Sequence, residues 1–267
     1  MSQSAAFAKQ NIAYWSGRAA GYSGVNQQEL ATGQRRVWGG LLAEQIAAAF
    51  PGRQPQSLQV LDVGTGPGFF AILLADMGCR VTAVDYTANM LREARRNAGA
   101  LAGRIRFAAM DAEALTFADG IFDVVLSRNV TWNLHDPRQA YRQWVRVLRP
   151  GGLLLNFDAN WYRYLSDGAA LAAHARDRAN VAALQVADDT AGTDVDAMEA
   201  IARQTPLSAC LRPAWDAAVL AELGMQADCD AGIWRRVWTR EERINNASTP
   251  MFMVRAVKPG DAPAARS

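Results

Sequence analysis

A glycine-rich segment between an apolar strand and an apolar helix constrains this chain more than any other feature. Residues 60–68 read Val-Leu-Asp-Val-Gly-Thr-Gly-Pro-Gly. The pattern predicts a strand over 59–63, a loop from Gly64 to Gly68, and a helix that ends at Met77 before Gly78. Glycines in such a loop permit positive φ angles and let a ligand approach the backbone closely.

The same alternation of strand and helix continues along the chain. Further strands are predicted at 80–84, 104–110, 122–126, 153–157 and 250–257. Thr87 and Asp136-Pro137 are typical of helix starts. The strands are continuous apolar runs, which is typical of a parallel sheet covered on both faces. The sequence therefore predicts an α/β fold with a doubly wound, mostly parallel sheet whose last strand is antiparallel.

Composition excludes several classes of protein. Half of the 267 residues are hydrophobic, so a large core can form, and 28 basic against 26 acidic residues give no basic field for nucleic acid. Three cysteines without a CxxC pair and two histidines give no zinc pattern. No run of 18 apolar residues predicts a membrane span, and the N-terminus lacks the apolar region of a secretory signal. We therefore expect a cytoplasmic protein without nucleic-acid or membrane partners.

An acid at the end of the second strand predicts nucleoside binding. Asp85 follows Gly64 by 21 residues, and its carboxylate can accept hydrogen bonds from both ribose hydroxyls. Dinucleotide-binding folds place an acid at a similar distance, and Gly66, Gly68 and Ala71 match a variant of their glycine pattern. An NAD(P)-dependent oxidoreductase therefore stays open, although no tyrosine is followed four residues later by lysine. The plainer alternative is a surface acid at a strand end.

Four segments in this order resemble the class I S-adenosylmethionine-dependent methyltransferases of small molecules. They are 60–68, Met110-Asp111-Ala112-Glu113, Phe122-Asp123-Val124-Val125 and Leu148-Arg149-Pro150-Gly151-Gly152. The resemblance is close over 58–158 and looser beyond. It implies a seven-stranded Rossmann-like sheet with an N-terminal helical lid and an inserted helical cap. It also implies S-adenosylmethionine as methyl donor, S-adenosylhomocysteine as product, a small-molecule acceptor and no metal.

The resemblance also implies which residues bind the cofactor. In the family the glycine loop passes under the methionine moiety, the first acid faces the amino end, and the third strand's acid holds the adenine. The core residues implied are Asp62, Gly64, Thr65, Gly66, Gly68, Asp85, Tyr86, Met90, Asp111, Ala112, Ser127 and Arg128. The segment 14–22 resembles an entry helix that covers the cofactor, which adds Tyr14, Arg18 and Tyr22. The alternative for this helix is that its aromatic residues only pack.

The acceptor side is predicted from residues that follow strands four and five. His135 and Asn129 are the catalytic candidates, since an imidazole can act as a general base; a loop position before a helix is the plainer reading of His135. Aromatic and polar residues predicted to bind the substrate are Trp132, Asp158, Asn160, Trp161 and Trp215. An aromatic enclosure suits a small planar or apolar acceptor, or a cation held over ring faces.

The predicted organisation has four parts. They are a lid over 1–50, a cofactor-binding core over 51–160 and 213–258, a cap over 161–212, and a disordered tail over 259–267. Within the lid, helices are predicted at 5–20 and 27–50, separated by a loop at Gly21–Gly24, and 225–237 is predicted to be strand-like. A non-catalytic binding protein with this fold is a second alternative. The acceptor atom and the oligomeric state stay open.

Overall fold

Seven strands form one sheet in the computed structural model, which describes residues 3–260. The strands are β1 (Gln59–Val63), β2 (Arg80–Asp85), β3 (Ile105–Ala109), β4 (Phe122–Arg128), β5 (Leu148–Asp158), β6 (Gln226–Asp230) and β7 (Phe252–Val257). Their order across the sheet is β3-β2-β1-β4-β5-β7-β6. Strands β1 to β5 pair in parallel, whereas β7 runs antiparallel to both β5 and β6. The predicted doubly wound, mostly parallel sheet is confirmed.

Helices cover both faces of the sheet. They are α1 (Gln3–Ala31), α2 (Gly33–Ala49), α3 (Phe69–Asp76), α4 (Ala88–Ala98), α5 (Pro137–Val147), α6 (Gly168–Leu184), α7 (Val195–Ala202), α8 (Ala214–Glu222), α9 (Trp234–Val237) and α10 (Arg240–Asn245). Because strand order reverses at β1, between β2 and β4, a crevice is expected at the carboxyl ends of these strands.

Two apolar clusters bury the two faces. Alternate strand residues divide between them, so that Val60 joins one cluster and Leu61 the other. The first cluster includes Trp38 of α2, and the second includes Trp144 of α5; both indoles are fully buried. This burial on both sides explains why the strands read as continuous apolar runs.

The predicted loop at Gly21–Gly24 is wrong, because α1 continues through it to Ala31. The chain breaks instead at Thr32, which precedes α2 in an extended conformation. Ser23 is completely buried and bonds to Asn97 of α4, which also accepts a hydrogen bond from Gln27. Packing against α4 thus outweighs the low helix propensity of the glycines.

The predicted strand over 225–237 is correct only as far as Asp230. The Asp230 carboxylate accepts a 2.7 Å hydrogen bond from the backbone of Gly232, which turns the chain into α9. Trp234 therefore lies in a helical turn rather than in a strand.

The segment predicted as a cap contains α6 and α7. A third apolar cluster forms where this segment meets α1: Met198 and Ile201 of α7 pack with Phe7 of α1 and with Trp132. A cap function for 161–212 stays a prediction, as does a lid function for 1–50. The predicted disordered tail falls largely on residues 261–267, which lie outside the described residues.

Candidate active site

The glycine loop after β1 has a backbone that side chains would not tolerate. Gly64, Gly66 and Gly68 have φ angles of +65°, +53° and +94°. A Cβ on Gly64 would lie 2.4 Å from a methyl group of Val130, which follows β4. The loop is fixed to β2 by a 2.9 Å hydrogen bond from the Thr65 backbone to the carbonyl of Val84. The positive φ angles therefore require glycine at all three positions, and the contact with Val130 excludes a side chain at Gly64 as well.

Asp85, at the end of β2, is held against this loop. Its two carboxylate oxygens accept backbone hydrogen bonds, at 2.9 Å from Gly66 and at 2.8 Å from Thr87. Burial raises the pKa of Asp85, against the opposing effect of these hydrogen bonds. Each oxygen keeps a further lone pair, so the carboxylate can still accept donors from a ligand in the crevice.

Asp62 lies beneath the loop and does not line the cavity described below. It is 2% exposed, and the Thr65 hydroxyl donates a 2.6 Å hydrogen bond to it. Burial raises the pKa of this carboxyl to about 7. In this arrangement Asp62 supports the loop from below.

A cavity of about 160 Å³ opens at the carboxyl ends of β1, β2 and β4. It is lined by residues from α1, the glycine loop and the segments that follow β2, β3 and β4. These residues are Phe7, Ala8, Asn11, Ile12, Trp15, Tyr22, Gly64, Gly66, Asp85, Tyr86, Thr87, Met90, Met110, Asp111, Ala112, Glu113, Arg128, Asn129, Val130, Asn133, Leu134 and His135. The predicted cofactor residues Tyr86, Met90, Asp111 and Ala112 thus face one space together with Asp85.

The turn after β3 is fixed by its own polar contacts. Asp111 accepts a 2.8 Å hydrogen bond from the backbone of Glu113. The indole N–H of Trp144 donates a 3.0 Å hydrogen bond to the carbonyl of Ala112. The Ala112 carbonyl is therefore occupied from the α5 side.

Arg128 is the one arginine or lysine among the described residues that line the cavity. Its Nη2 donates a 2.6 Å hydrogen bond to Glu29 of α1, and its guanidinium lies 4.7 Å from the ring centroid of Trp38 and 5.1 Å from that of Phe69. Burial alone would lower the pKa of Arg128, but the adjacent Glu29 carboxylate raises it, so the group stays charged. Its buried Nε has no hydrogen-bond partner.

The three residues predicted from the entry helix have different positions. Tyr22 lines the cavity, with its ring 3.6 Å from where a Cβ on Gly66 would lie. Tyr14 packs in the third apolar cluster, edge-on to Trp15. Arg18 points away and donates to the carbonyl of Gly192.

Asn129, directly after β4, and Ser127, near the end of β4, each have a buried polar atom without a hydrogen-bond partner. Asn129 lines the cavity with a left-handed φ of +58°, and its Oδ1 lacks a partner. Its backbone is held on both sides, by the carbonyl of Phe157 at 2.8 Å and by the indole N–H of Trp132 at 3.0 Å. Ser127 is fully buried, its hydroxyl has no partner, and it is not among the lining residues.

The five predicted substrate residues do not line this cavity. Asp158 is completely buried and accepts hydrogen bonds from Thr131 at 2.5 Å and Arg212 at 2.7 Å. Asn160 bonds to the backbone of Arg212 on both its amide atoms. These contacts tie the segment after β4 to the segment before α8.

The three predicted substrate tryptophans serve as packing in this structure. Trp161 donates a 3.0 Å hydrogen bond to Asp158, and Trp215 packs against the second apolar cluster beside Tyr141. Trp132 is 6% exposed in the third cluster.

The α1 residues that line the cavity were missed by sequence reasoning. Phe7, Ala8, Asn11, Ile12 and Trp15 share one face of the helix, at spacings of one, four, five and eight. The spacing by which these residues share a helix face can be seen in the sequence, but the same pattern is typical of a helix face that packs on a hydrophobic core. Only the fold places it over the glycine loop.

Two general features complete the description. Within residues 3–260, no helix combines the length and hydropathy that a membrane span requires. The described chain also contains no group of three or more His, Cys, Asp or Glu side chains arranged to hold a metal ion.

The fold, the glycine loop and the acid at the end of β2 define a Rossmann-like domain of the class I methyltransferase type. Residues 61–156 match the family model described as "Methyltransferase domain". The match covers residues 61–156 of the chain, and the resemblance predicted from the sequence is confirmed there.

Relatives agree on the family and differ in substrate. A demethylmenaquinone methyltransferase of Renibacterium salmoninarum is 36% identical over 131 residues, which cover 49% of this chain and 51% of that protein. A malonyl-[acyl-carrier protein] O-methyltransferase of Enterobacter lignolyticus is 36% identical over 146 residues, covering 55% and 52%. The chain thus spans about half the length of the curated relatives it matches.

A solved structure extends the likeness in fold to nearly the whole chain. The plantazolicin methyltransferase BpumL, in complex with a triazolic desmethylPZN analog and S-adenosylhomocysteine, has a TM-score of 0.60. The alignment covers 95% of this chain and 97% of that one at 12% identity.

Proposed function

We propose that this protein transfers a methyl group from S-adenosylmethionine to a small-molecule acceptor. The observation that carries the proposal is the convergence of Gly66, Asp85 and Arg128 on one cavity at the point where strand order reverses. The matching methyltransferase domain and the S-adenosylhomocysteine complex of a protein of similar fold support it.

The residues present fit this cofactor. A Cβ on Gly66 would point toward Tyr22 on the cavity wall, 3.6 Å away, so its absence suits close approach of the methionine part. The Asp85 carboxylate suits the ribose hydroxyls, and Asp111 with the backbone of Ala112 suits the adenine edge. Tyr86 and Met90 provide flat and apolar surface beside them.

We assign the cofactor carboxylate to Arg128. A buried carboxylate needs a charged or multiple hydrogen-bond partner, and Arg128 is the one cationic side chain of this kind among the described lining residues. Its Nε is buried and unpartnered, so the guanidinium can bind a second carboxylate beside Glu29. Arg18, the other candidate, does not line the cavity and already donates to the carbonyl of Gly192.

When bound, S-adenosylmethionine supplies an electrophilic methyl group: the acceptor's lone pair bonds to the methyl carbon, the carbon–sulfur bond breaks with its electrons remaining on sulfur, and the acceptor loses a proton. The protein's part is alignment of the acceptor and removal of that proton. His135 lines the cavity, with its ring 5.4 Å from that of Phe7, and is our candidate base. Asn129, with its unpartnered Oδ1, is our candidate for orienting the acceptor.

Titration calorimetry tests the function and the Arg128 assignment together. Its probes are S-adenosylhomocysteine, NADH, and 5′-deoxy-5′-methylthioadenosine, which lacks the amino-acid part. We expect the wild type to bind both thioether nucleosides and not NADH. Arg128→Met should weaken S-adenosylhomocysteine by roughly 10- to 100-fold, from loss of a charged hydrogen bond, and methylthioadenosine by less than about twofold.

Arg18→Met is the matched control and should leave both affinities unchanged. Binding of NADH in preference to S-adenosylhomocysteine would overturn the proposed function. Equal weakening of both nucleosides in Arg128→Met would instead remove Arg128 from the carboxylate site while leaving the function intact.

A further inference from the structure

The face of α1 that covers the cavity is uncharged and largely apolar. It presents Phe7, Ala8, Ile12 and Trp15, with Leu134 also on the wall. Phe7 is 5% exposed and packs in the third cluster, so tertiary contacts hold this wall in place over the cavity. A ligand against α1 therefore meets mainly carbon.

Two polar atoms on this wall lack partners. Asn11 and Asn133 bond to each other, the Asn133 amide nitrogen donating to the Asn11 oxygen at 3.0 Å, which leaves Oδ1 of Asn133 buried and unsatisfied. The indole Nε1 of Trp15 is also buried without a partner. A buried polar atom without a hydrogen-bond partner is unfavourable, so a ligand with one donor and one acceptor gains by bonding to both.

The charged side chains of the cavity do not lie on the α1 wall and are used in other contacts. Among the described lining residues the charged groups are Asp85, Asp111, Glu113 and Arg128. Glu113 accepts a 2.8 Å hydrogen bond from the backbone of Asp136, and Arg128, which pairs with Glu29, is taken by the cofactor carboxylate in the proposed function. An anionic acceptor would thus meet three carboxylates and no free cation, and burying an unpaired anion is costly.

A cationic acceptor fits the α1 wall no better. The α1 wall carries no charge, since it consists of Asn11, Asn133 and apolar side chains. The carboxylates of the cavity lie at or just after the ends of β2 and β3, away from α1. An ammonium must also lose its proton before its lone pair can attack a methyl group.

We propose that the methyl acceptor is an uncharged, largely apolar small molecule with a hydroxyl or N–H group, bound on the α1 face by Trp15 and Asn133. The hydroxyl or N–H group of this molecule donates a hydrogen bond to Oδ1 of Asn133. A second polar atom of the molecule accepts a hydrogen bond from the indole N–H of Trp15. This inference rests on the proposed function, because it assumes that the cofactor occupies the wall of the cavity opposite α1.

The test uses one ring system in three charge states. Protein saturated with S-adenosylhomocysteine is titrated with 1-naphthol, with 1-naphthoate and with 1-naphthylmethylamine, which is cationic at neutral pH. We expect 1-naphthol to bind at least about tenfold more tightly than either charged analogue. Equal or tighter binding of a charged analogue, or no binding of 1-naphthol up to its solubility limit, overturns the inference.

Variants separate the wall from the rest of the site. Trp15→Phe keeps an aromatic ring and removes the N–H, and should weaken 1-naphthol by about three- to tenfold. Trp161→Phe, at an indole outside the cavity, is the control and should leave 1-naphthol unchanged. Unchanged 1-naphthol binding in Trp15→Phe overturns the assignment of the indole.

The affinity for S-adenosylhomocysteine is measured in the same variants. A wild type that fails to bind it refutes the proposed function, whereas normal binding of it with no preference for 1-naphthol refutes only the acceptor class.

Discussion

Asp62 illustrates how burial alters the chemistry of a single carboxyl group. Its position before the glycine loop suggested contact with the cofactor's amino end. In the structure its oxygen is bonded to Thr65, and the carboxyl lies under the loop outside the cavity. Because burial raises its pKa from 3.8 to about 7, the group is substantially protonated in the ligand-free protein at mildly acidic pH.

This raised pKa predicts the sign of a pH effect on stability. A carboxyl with a higher pKa in the folded state stabilises the fold fully below its unfolded pKa, and this contribution is lost as pH rises from about 4 to about 7. Asp62→Asn does not titrate, so from pH 5 to pH 8 its free energy of unfolding should rise relative to the wild type by on the order of 1–3 kcal/mol. Urea unfolding of the ligand-free proteins measures the difference.

Asp76→Asn serves as the control for that experiment, because the Asp76 side chain is 52% exposed on the surface. Because its ion pair with Arg35 is on the surface, the replacement should change the free energy of unfolding by no more than about 1 kcal/mol at either pH. A pH curve for Asp62→Asn parallel to that of the wild type would show that Asp62 does not titrate in this range.

The ends of β4 and β5 are joined to α8 by a buried polar network. Arg212 forms ion pairs with Asp158 at the end of β5 and with Asp216 of α8, each at 2.7 Å, and all three side chains are fully buried. Its Nη2 also lies 2.6 Å from the hydroxyl of Thr131, in the segment that carries the cavity residues after β4. The network therefore fixes elements that the sequence separates by more than 50 residues.

Removing the central cation should be strongly destabilising. Arg212→Met leaves the carboxylates of Asp158 and Asp216 buried without a counter-ion, at a cost of about 3–5 kcal/mol. Thermal unfolding should show a clear loss in Tm. The control is Arg203→Met, at a side chain that is 57% exposed and paired with Glu199.

That surface pair should contribute no more than about 1 kcal/mol. Similar losses in Arg203→Met and Arg212→Met would contradict the importance of the buried network.

Helices and strands were predicted correctly where neighbouring residues in the sequence determine them, and wrongly where contacts with distant segments determine them. The start of α5 was predicted from Asp136-Pro137, and Asp136 indeed accepts a 2.9 Å hydrogen bond from the backbone of Gln139. The glycines of α1 predicted a loop that does not exist, since packing against α4 maintains the helix. Asp158 was predicted to bind substrate from its strand-end position, which cannot reveal that Arg212 neutralises it.

At the scale of the whole molecule, α1 is the element that closes the cavity. It packs against α4 through Asn97, whose amide nitrogen donates to Ser23 and to the carbonyl of Pro67, both at 3.0 Å. Its first half faces the cavity through Phe7 and Trp15. The sheet is buried on both faces, whereas α1 is largely exposed on one side.

Hydrogen-exchange rates should therefore differ between α1 and the central sheet. We expect backbone amides in residues 7–15 to exchange faster than those of β1 and β4, and to be slowed at least about tenfold by saturating S-adenosylhomocysteine. Residues 240–245 of α10, which do not line the cavity, provide the internal control. Equal protection of residues 7–15 with and without ligand would show that α1 does not respond to the cofactor site.

Local patterns in the sequence were enough to predict the sheet, the glycine loop and the acid at the end of β2. These depend on short-range physical requirements: apolar runs that need burial, positive φ angles that need glycine, and a strand end that delivers Asp85 to the loop. Which side chains share the cavity depends on how distant segments pack together. Contacts between distant segments placed the α1 face over the loop, neutralised Asp158 with Arg212, and paired Arg128 with Glu29, because burial and charge pairing depend on neighbours that the linear order does not reveal.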